Sequence, residues 1–202
     1  MKKLFIILTL LILIMACKKE NTIADKFLTF IEAGQTDGVG IKYVDFEPDE
    51  KLISSNGSEA FLKLDLNKDS IDDFELRYTS MSYGRWYNQY SQIIPLENNS
   101  VCISKTITYS DFAFVESLKY GDTIGINNNW TNSKAYLYRF YRNWQRYQNP
   151  DTTIVSESIY GDWYSQNNIY VGVKIIKNDK QLFGWIDMKD TTLRRYAVSS
   201  PF

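Results

Sequence analysis

Apolar and polar side chains alternate in two segments that flank an acidic loop between residues 61 and 78. A period of two is typical of a half-buried β-strand, because successive side chains of a strand point to opposite faces. The apolar positions that share a face are Leu62, Leu64 and Leu66 in the first segment and Phe74, Leu76 and Tyr78 in the second. The pattern therefore predicts a β-hairpin closed by the loop at residues 65–73.

The same kind of alternation recurs at short intervals through the rest of the chain, with turn residues between the segments. The further predicted strands cover residues 41–46, 86–94, 101–109, 123–126, 152–159, 169–175, 182–186 and 193–198. Many short strands separated by turn residues are typical of an antiparallel sandwich or barrel. We predict an all-β fold, an antiparallel, jelly-roll-like β-sandwich, formed by residues 23–202 as a single domain.

Two segments depart from this pattern. Residues 23–33 predict one short N-terminal helix, because Thr22 and Asp25 fit a capping box and Gly34 can end the helix. Residues 135–147 fit either a helix with one aromatic side or an aromatic-rich strand. Because the neighbouring segments are strand-like and aromatic residues suit pleated sheets, we favour the strand.

The first 17 residues have the pattern of a bacterial export signal. Lys2 and Lys3 precede an apolar run that is too short to span a bilayer comfortably. The end of this run, Ile14-Met15-Ala16-Cys17, resembles a bacterial lipobox. The resemblance implies that residues 1–16 are removed, that Cys17 is acylated, and that residues 17–22 tether the domain to the outer membrane, on its periplasmic or cell-surface side.

Charge and composition exclude several function classes. Residues 1–16 carry two of the 23 basic residues and none of the 24 acidic ones, so the mature chain has a side-chain charge of −3. An acidic exported protein is not expected to bind nucleic acid. The chain contains no histidine, which excludes catalytic triads and zinc sites that need an imidazole. With Cys17 acylated, Cys102 has no partner and is predicted to be a small buried hydrophobe.

The loop at residues 65–73 has the ligand spacing of a calcium site. Asp65, Asn67, Asp69 and Asp73 stand at positions 1, 3, 5 and 9 of a calcium loop, and the carbonyl of Ile71 stands at position 7. All are hard oxygen ligands, which favour Ca²⁺ over Zn²⁺. A divalent cation would also relieve the repulsion among the aspartates of this turn. We predict that the loop binds calcium.

The loop departs from the helix-loop-helix type of calcium site at two positions. Ser70 replaces the usual glycine at position 6, and Leu76 replaces the bidentate glutamate at position 12. Residues 65–72 are similar to the shorter D-x-N-x-D-x-x-D loops between strands of secreted bacterial proteins, although the last aspartate of that motif falls at Asp72 and not at Asp73. The alternative is a solvated polar turn, since Asp and Asn favour turns for reasons unrelated to metals.

The C-terminal third adds a second resemblance. A strand at Tyr170–Lys174, a Gly184-Trp185-Ile186 strand and a closing strand resemble the end of uncharacterised Bacteroidota-type exported lipoproteins with a β-sandwich body. The resemblance implies the same exported, lipid-anchored class and no particular activity.

We therefore predict a binding or structural role. Trp130, Trp144 and Trp163 lie near predicted loops and are candidate contacts for a glycan or a cell-envelope protein, whereas Trp185 is expected in the core. The alternative is a carbohydrate-active enzyme, or its accessory module, that uses a carboxylate pair. The candidate carboxylates for such a pair are Glu75, Glu116, Glu157 and Asp162.

Overall fold

The chain is all β in the part that the computed structural model describes, which is residues 28–55, 57–104, 112–146, 153–163 and 169–200. These residues contain no helix and hence none that could cross a membrane. Fourteen strands occur within the described ranges. They are β1 Phe30–Glu32, β2 Ile41–Lys51, β3 Glu59–Leu64, β4 Phe74–Tyr83, β5 Trp86–Pro95, β6 Ser100–Cys102, β7 Ala113–Phe114, β8 Thr123–Gly125, β9 Trp130–Thr131, β10 Ala135–Arg146, β11 Thr153–Tyr160, β12 Ile169–Lys177, β13 Lys180–Lys189 and β14 Thr192–Ser199.

The strands form two large sheets and a small ribbon. The front sheet has the order β11-β10-β5-β4-β3, with β7 beside β10. The back sheet has the order β2-β14-β13-β12-β6-β9, and the ribbon is the pair β1-β8. All strand pairs are antiparallel except β7 with β10.

The largest buried cluster lies between the front and back sheets. Phe74, Leu76 and Ile93 from the front sheet are fully buried together with Val171, Val173 and Ile186 from the back sheet. Burial of this kind contributes about 1.5–3 kcal/mol per large apolar side chain relative to exposure. Two antiparallel sheets that share one apolar cluster are consistent with a β-sandwich.

A second buried cluster lies on the other face of the back sheet, where the ribbon covers it. Ile31 and Ile124 of the ribbon pack with Tyr170 and Trp185 of the back sheet. Trp185 is fully buried, as predicted, and its Nε1 donates a hydrogen bond of 3.0 Å to the carbonyl of Gln35. The back sheet is therefore covered by apolar residues on both faces.

The predicted hairpin is confirmed. β3 pairs with β4 in a register that places Leu62 opposite Leu76 and Leu64 opposite Phe74. Strand, not helix, is also confirmed for β10, whose residues pair with β5 on one side and β11 on the other.

The predicted N-terminal helix is wrong for its last residues. Phe30–Glu32 form β1, and residues 23–27 lie outside the described ranges. Pairing with β8 buries Ile31 opposite Ile124, which a helix would not achieve at this edge. Gly34 has φ +80°, and a Cβ there would lie 2.6 Å from a ring carbon of Tyr120, so this glycine makes a tight turn and does not end a helix.

One predicted strand end is also wrong, and a second lies partly outside the described residues. β2 continues past Pro48 to Lys51, and Pro48 lies between Asp45 and Glu50, where the pairing with β14 is irregular, so the missing N–H of proline costs no ladder hydrogen bond there. The strand predicted at 101–109 pairs only over Ser100–Cys102, followed by a single bridge at Ile103, and its residues 105–109 lie outside the described part.

Candidate functional site

The acidic loop joins β3 to β4 and is fixed to the core by one apolar side chain. Leu66 is 1 % exposed and belongs to the cluster between the two sheets. Lys68 and Ser70 adopt left-handed backbone conformations, with φ of 64° and 71°. These two positions turn the chain tightly, so that the side chains of alternate residues face the inside of the loop.

Two aspartates hold the turn through backbone N–H groups. The Asp65 carboxylate accepts hydrogen bonds from the N–H of Asp69 at 3.1 Å and of Ser70 at 2.7 Å. Asp69 Oδ1 accepts one from the N–H of Ile71 at 3.0 Å. Short polar side chains that accept backbone N–H groups in this way stabilise turns without any metal.

Asp73 is the most densely bonded residue of the loop and is buried. Its Oδ2 accepts from the N–H groups of Leu66 at 2.8 Å and Asn67 at 3.3 Å. Its Oδ1 accepts from Asn67 Nδ2 at 3.4 Å and Asn99 Nδ2 at 3.1 Å. Burial raises the pKa of Asp73, whereas the N–H donors of Leu66 and Asn67 pull it down.

Two contacts tie the loop to the back sheet. Asn99 donates to Asp73 and accepts a 2.9 Å hydrogen bond from the N–H of Ile176 on β12. Lys177 Nζ lies 3.0 Å from Asp69 Oδ2, and this hydrogen bond is the main cause of the lowered pKa of Asp69. The loop therefore connects the front sheet to the β12–β13 hairpin, a role that the sequence did not indicate.

Asn67 carries an acceptor that has no partner. The residue is 8 % exposed, and its Oδ1 is a buried atom without a hydrogen bond among the described residues. An unsatisfied buried acceptor costs about 1–3 kcal/mol. A half-turn of the amide would place Oδ1 where Nδ2 now faces Asp73 Oδ1. Two oxygens would then face each other, an arrangement that a cation between them would stabilise.

The predicted ligands lie in one loop but do not form a ready-made metal centre. No three carboxylate, thiol or imidazole side chains of the described residues are grouped closely enough to hold a metal ion. Ile71 is 58 % exposed at the tip, and Asp72 points away to Lys63, 3.4 Å from its Nζ. A bound cation would thus need Asn67 and Asp73 to exchange their mutual hydrogen bond for metal contacts.

The three predicted aromatic contacts occupy different surroundings. Trp163 is 4 % exposed within the main core, which leaves its ring little surface for a ligand. Trp130 is partly buried against Phe183, and its Nε1 donates to the carbonyl of Gly125 at 3.1 Å. Trp144 is partly exposed and lies under the guanidinium of Arg142. They do not form a common surface.

Three of the four candidate carboxylates, all except Asp162, are engaged in contacts that differ from one to the next. Glu75 forms a 2.6 Å ion pair with Arg77, and Glu157 forms one of the same length with Arg142. Their register places them on opposite faces of the front sheet. Glu116 accepts a hydrogen bond from the buried thiol of Cys102 at 3.0 Å, and burial raises the pKa of that thiol. Cys102 is fully buried, as predicted.

The structure adds polar residues that sequence reasoning missed. Asn99 and Lys177 complete the surroundings of the acidic loop, although they lie 26 and 108 residues from the aspartates they contact. No feature of the local sequence identifies either residue as part of the site.

The predicted acylation site, Cys17, lies outside the described residues. Comparisons with protein-family models, with curated proteins and with solved structures returned no match.

Proposed function

We propose that the protein is an exported, lipid-anchored binding module of the outer membrane whose jelly-roll-like β-sandwich is stabilised by calcium. The lipobox-like junction at Cys17 supports the anchoring, and the acidic loop supports the calcium site. The ligand of the module is a glycan or a cell-envelope protein. The calcium ion has a structural role, because the loop connects the front sheet to the β12–β13 hairpin of the back sheet.

The observation that carries the calcium proposal is the unpartnered, buried Oδ1 of Asn67 beside Asp73. Asn67 stands at position 3 of the loop, where a calcium loop supplies a side-chain oxygen. Asp65 uses both oxygens for backbone N–H groups of the turn, and Asp69 uses Oδ1 for the N–H of Ile71 and Oδ2 for Lys177, yet a carboxylate offers about four acceptor sites. Lone pairs therefore remain for a cation.

The melting temperature in the presence of calcium tests this part of the proposal. The loop lacks the bidentate glutamate, so we expect a Kd of about 10⁻⁴–10⁻³ M, the range of extracellular modules. At ten times Kd, binding to the folded state alone adds about 1.4 kcal/mol of stability. Millimolar Ca²⁺ should raise Tm, and Mg²⁺ should raise it much less, because it requires a tighter octahedron.

Two variants make the test specific. Asp69→Ala should remove the calcium response, whereas Asp72→Ala, at a residue that faces Lys63 instead of the loop interior, should retain it. The calcium proposal fails if titration calorimetry detects no heat at millimolar Ca²⁺ and EDTA leaves Tm unchanged.

Lipid attachment is tested separately in a bacterial host that acylates lipoproteins. Radiolabelled palmitate should enter the wild-type chain, and Cys17→Ser should abolish the labelling and leave the protein unprocessed or released from the membrane. Absence of label in the wild-type chain would contradict the anchoring.

A further inference from the structure

The outward side of the front sheet carries an unusual set of side chains where β4, β5, β10 and β11 run together. The register gives three rows across the four strands. In strand order the rows are Tyr83, Trp86, Asn143 and Ser156; then Met81, Asn88, Tyr141 and Ser158; then Thr79, Tyr90, Arg139 and Tyr160. We call these twelve positions the aromatic face.

The rings of the aromatic face are accessible. Tyr83 is 85 % exposed, Trp86 47 % and Tyr160 42 %. The ring of Trp86 lies against that of Tyr141, with 5.2 Å between centroids and 38° between planes. This contact fixes the orientation of Trp86 without covering it. The main core lies on the opposite side of the sheet, so burial in that core does not explain these rings.

The charge of the aromatic face restricts its partner. None of the twelve positions is a carboxylate, and Arg139 is the one cation among them. The guanidinium of Arg139 lies over the ring of Phe112, 5.3 Å from its centroid. The remaining positions are aromatic rings, amides, hydroxyls and one thioether. Aromatic rings interleaved with neutral hydrogen-bonding groups complement a ligand that has both C–H faces and hydroxyls.

One of the amides lacks a partner. Asn88 stands between Met81 and Tyr141 in the middle row, and its Oδ1 is a covered atom with no hydrogen bond in the described part of the chain. A hydroxyl donor of a ligand that reaches this atom would satisfy the acceptor and remove the cost of leaving it unpaired. The face therefore contains both a stacking surface and an unused acceptor.

We propose that the aromatic face binds a neutral polysaccharide chain, with Trp86 and Tyr141 stacking on a sugar ring and Asn88 accepting a hydroxyl hydrogen bond. The inference deepens the proposed binding function by naming its ligand class and its surface. An extended chain fits the shape, because rows of a sheet repeat every ~7 Å along the strands and ~4.8 Å across them. A polycation is disfavoured, since none of the twelve positions is a carboxylate, and Glu59, which borders the third row beside Thr79, lies 3.6 Å from the guanidinium of Arg77.

The test is affinity electrophoresis of the full acylated protein in non-ionic detergent, in native gels that contain one probe each. The probes are hydroxyethyl cellulose, laminarin, galactomannan and pullulan, with alginate as an anionic comparison. We expect at least one neutral probe to retard the protein. Trp86→Ala and Tyr141→Ala should each raise the apparent Kd by about tenfold.

Tyr120→Ala is the control, because Tyr120 is an aromatic residue, 77 % exposed, that lies between β7 and β8 and outside the twelve positions of the aromatic face. It should leave the retardation unchanged. Wild-type migration that no neutral probe alters would overturn the proposal, as would retardation by alginate alone or retardation that Trp86→Ala and Tyr141→Ala do not weaken. Melting curves of each variant with and without Ca²⁺ establish that it is folded and keep the two proposals separable. Failure of calcium binding with intact retardation contradicts only the calcium site.

Discussion

At the scale of single residues, the buried polar side chains lie where separate elements meet. Asp73 and Asn99 connect three parts of the fold: the acidic loop, strand β12, and the segment that follows β5. Asp187 of β13 is fully buried and accepts hydrogen bonds from Arg194 and Arg195, the latter at 2.8 Å. Removing one member of such a group leaves the others without a hydrogen-bond partner, because water cannot reach the buried donors to replace it.

Asp73→Ala should therefore destabilise the protein severely even in the absence of metal. The change leaves the N–H groups of Leu66 and Asn67 and the side-chain amide of Asn67 without their acceptor, whereas Asn99 Nδ2 keeps its 3.2 Å hydrogen bond to the backbone carbonyl of residue 73. With a cost of about 1–3 kcal/mol for each buried unsatisfied group and partial relaxation, we expect a loss of about 3 kcal/mol. Urea unfolding in the presence of EDTA measures it.

Asp72→Ala is the comparison, since Asp72 is one residue away and forms only a solvent-exposed pair with Lys63. Exposed pairs contribute about 0–1 kcal/mol, so its unfolding midpoint should scarcely move. Equal destabilisation by the two substitutions would contradict the role assigned to Asp73.

At the scale of elements, alternation in the sequence predicted the strands well wherever one face is buried. β3 and β4 are examples, because they pair with each other and point alternate residues into the core. The prediction failed at β1, which is three residues long and depends on pairing with β8, about 90 residues later. A helical pattern of the local sequence could not reveal that partner.

The residues of the candidate site also fall into two groups, those that the local sequence predicts and those that it does not. The aspartates of the loop and the tight turn at Lys68 and Ser70 follow from local sequence, since their hydrogen bonds span at most seven residues. Asn99 and Lys177 arrive from distant strands. The aromatic face could not be predicted either, because its rows depend on the register of four strands.

Close packing of backbones predicts a strong effect at Gly184 in β13. A Cβ at this position would lie 2.5 Å from the carbonyl oxygen of Ala197 on β14, and a backbone atom cannot move aside cheaply. Gly184→Ala should lower the free energy of unfolding by about 1–3 kcal/mol, the usual cost of overpacking. Thermal unfolding followed by circular dichroism provides the measurement.

Gly172→Ala on β12 serves as the control, because its nearest neighbour would be a flexible methyl of Leu118 at 3.0 Å. The Tm decrease should be clearly smaller than for Gly184→Ala. The reverse order would show that the β13–β14 contact is not the tight one.

At the scale of the whole molecule, four buried or half-buried tyrosines make the fold sensitive to alkali. Burial raises the pKa of Tyr43, Tyr78, Tyr136 and Tyr138 above the ordinary value of 10.0. Because the folded state keeps these protons at a pH where the unfolded chain releases them, the stability that the four tyrosines contribute is complete below pH 10.0 and falls as the pH rises above it. Burial lowers the pKa of Lys174, so the contribution of this lysine to stability changes with pH in the opposite direction.

Urea midpoints between pH 8 and 11, with tyrosinate absorbance recorded in parallel, test this expectation. Tyr138→Phe should weaken the pH dependence, although it also removes the hydrogen bond from Gln89. Tyr120→Phe, at a ring that is 77 % exposed, should not change it. Ionisation of all 15 tyrosines in a protein that keeps its native circular dichroism would contradict the prediction.

The double coverage of the back sheet has a kinetic consequence for β13. Its residues from Leu182 to Met188 are buried, with Leu182, Ile186 and Met188 facing the front sheet and Phe183 and Trp185 facing the ribbon. The amide hydrogens of this strand can reach solvent only when the three layers separate together. In deuterium exchange they should therefore be the last to be replaced, at a rate set by global unfolding, while those of the edge strand β11 exchange by local fraying.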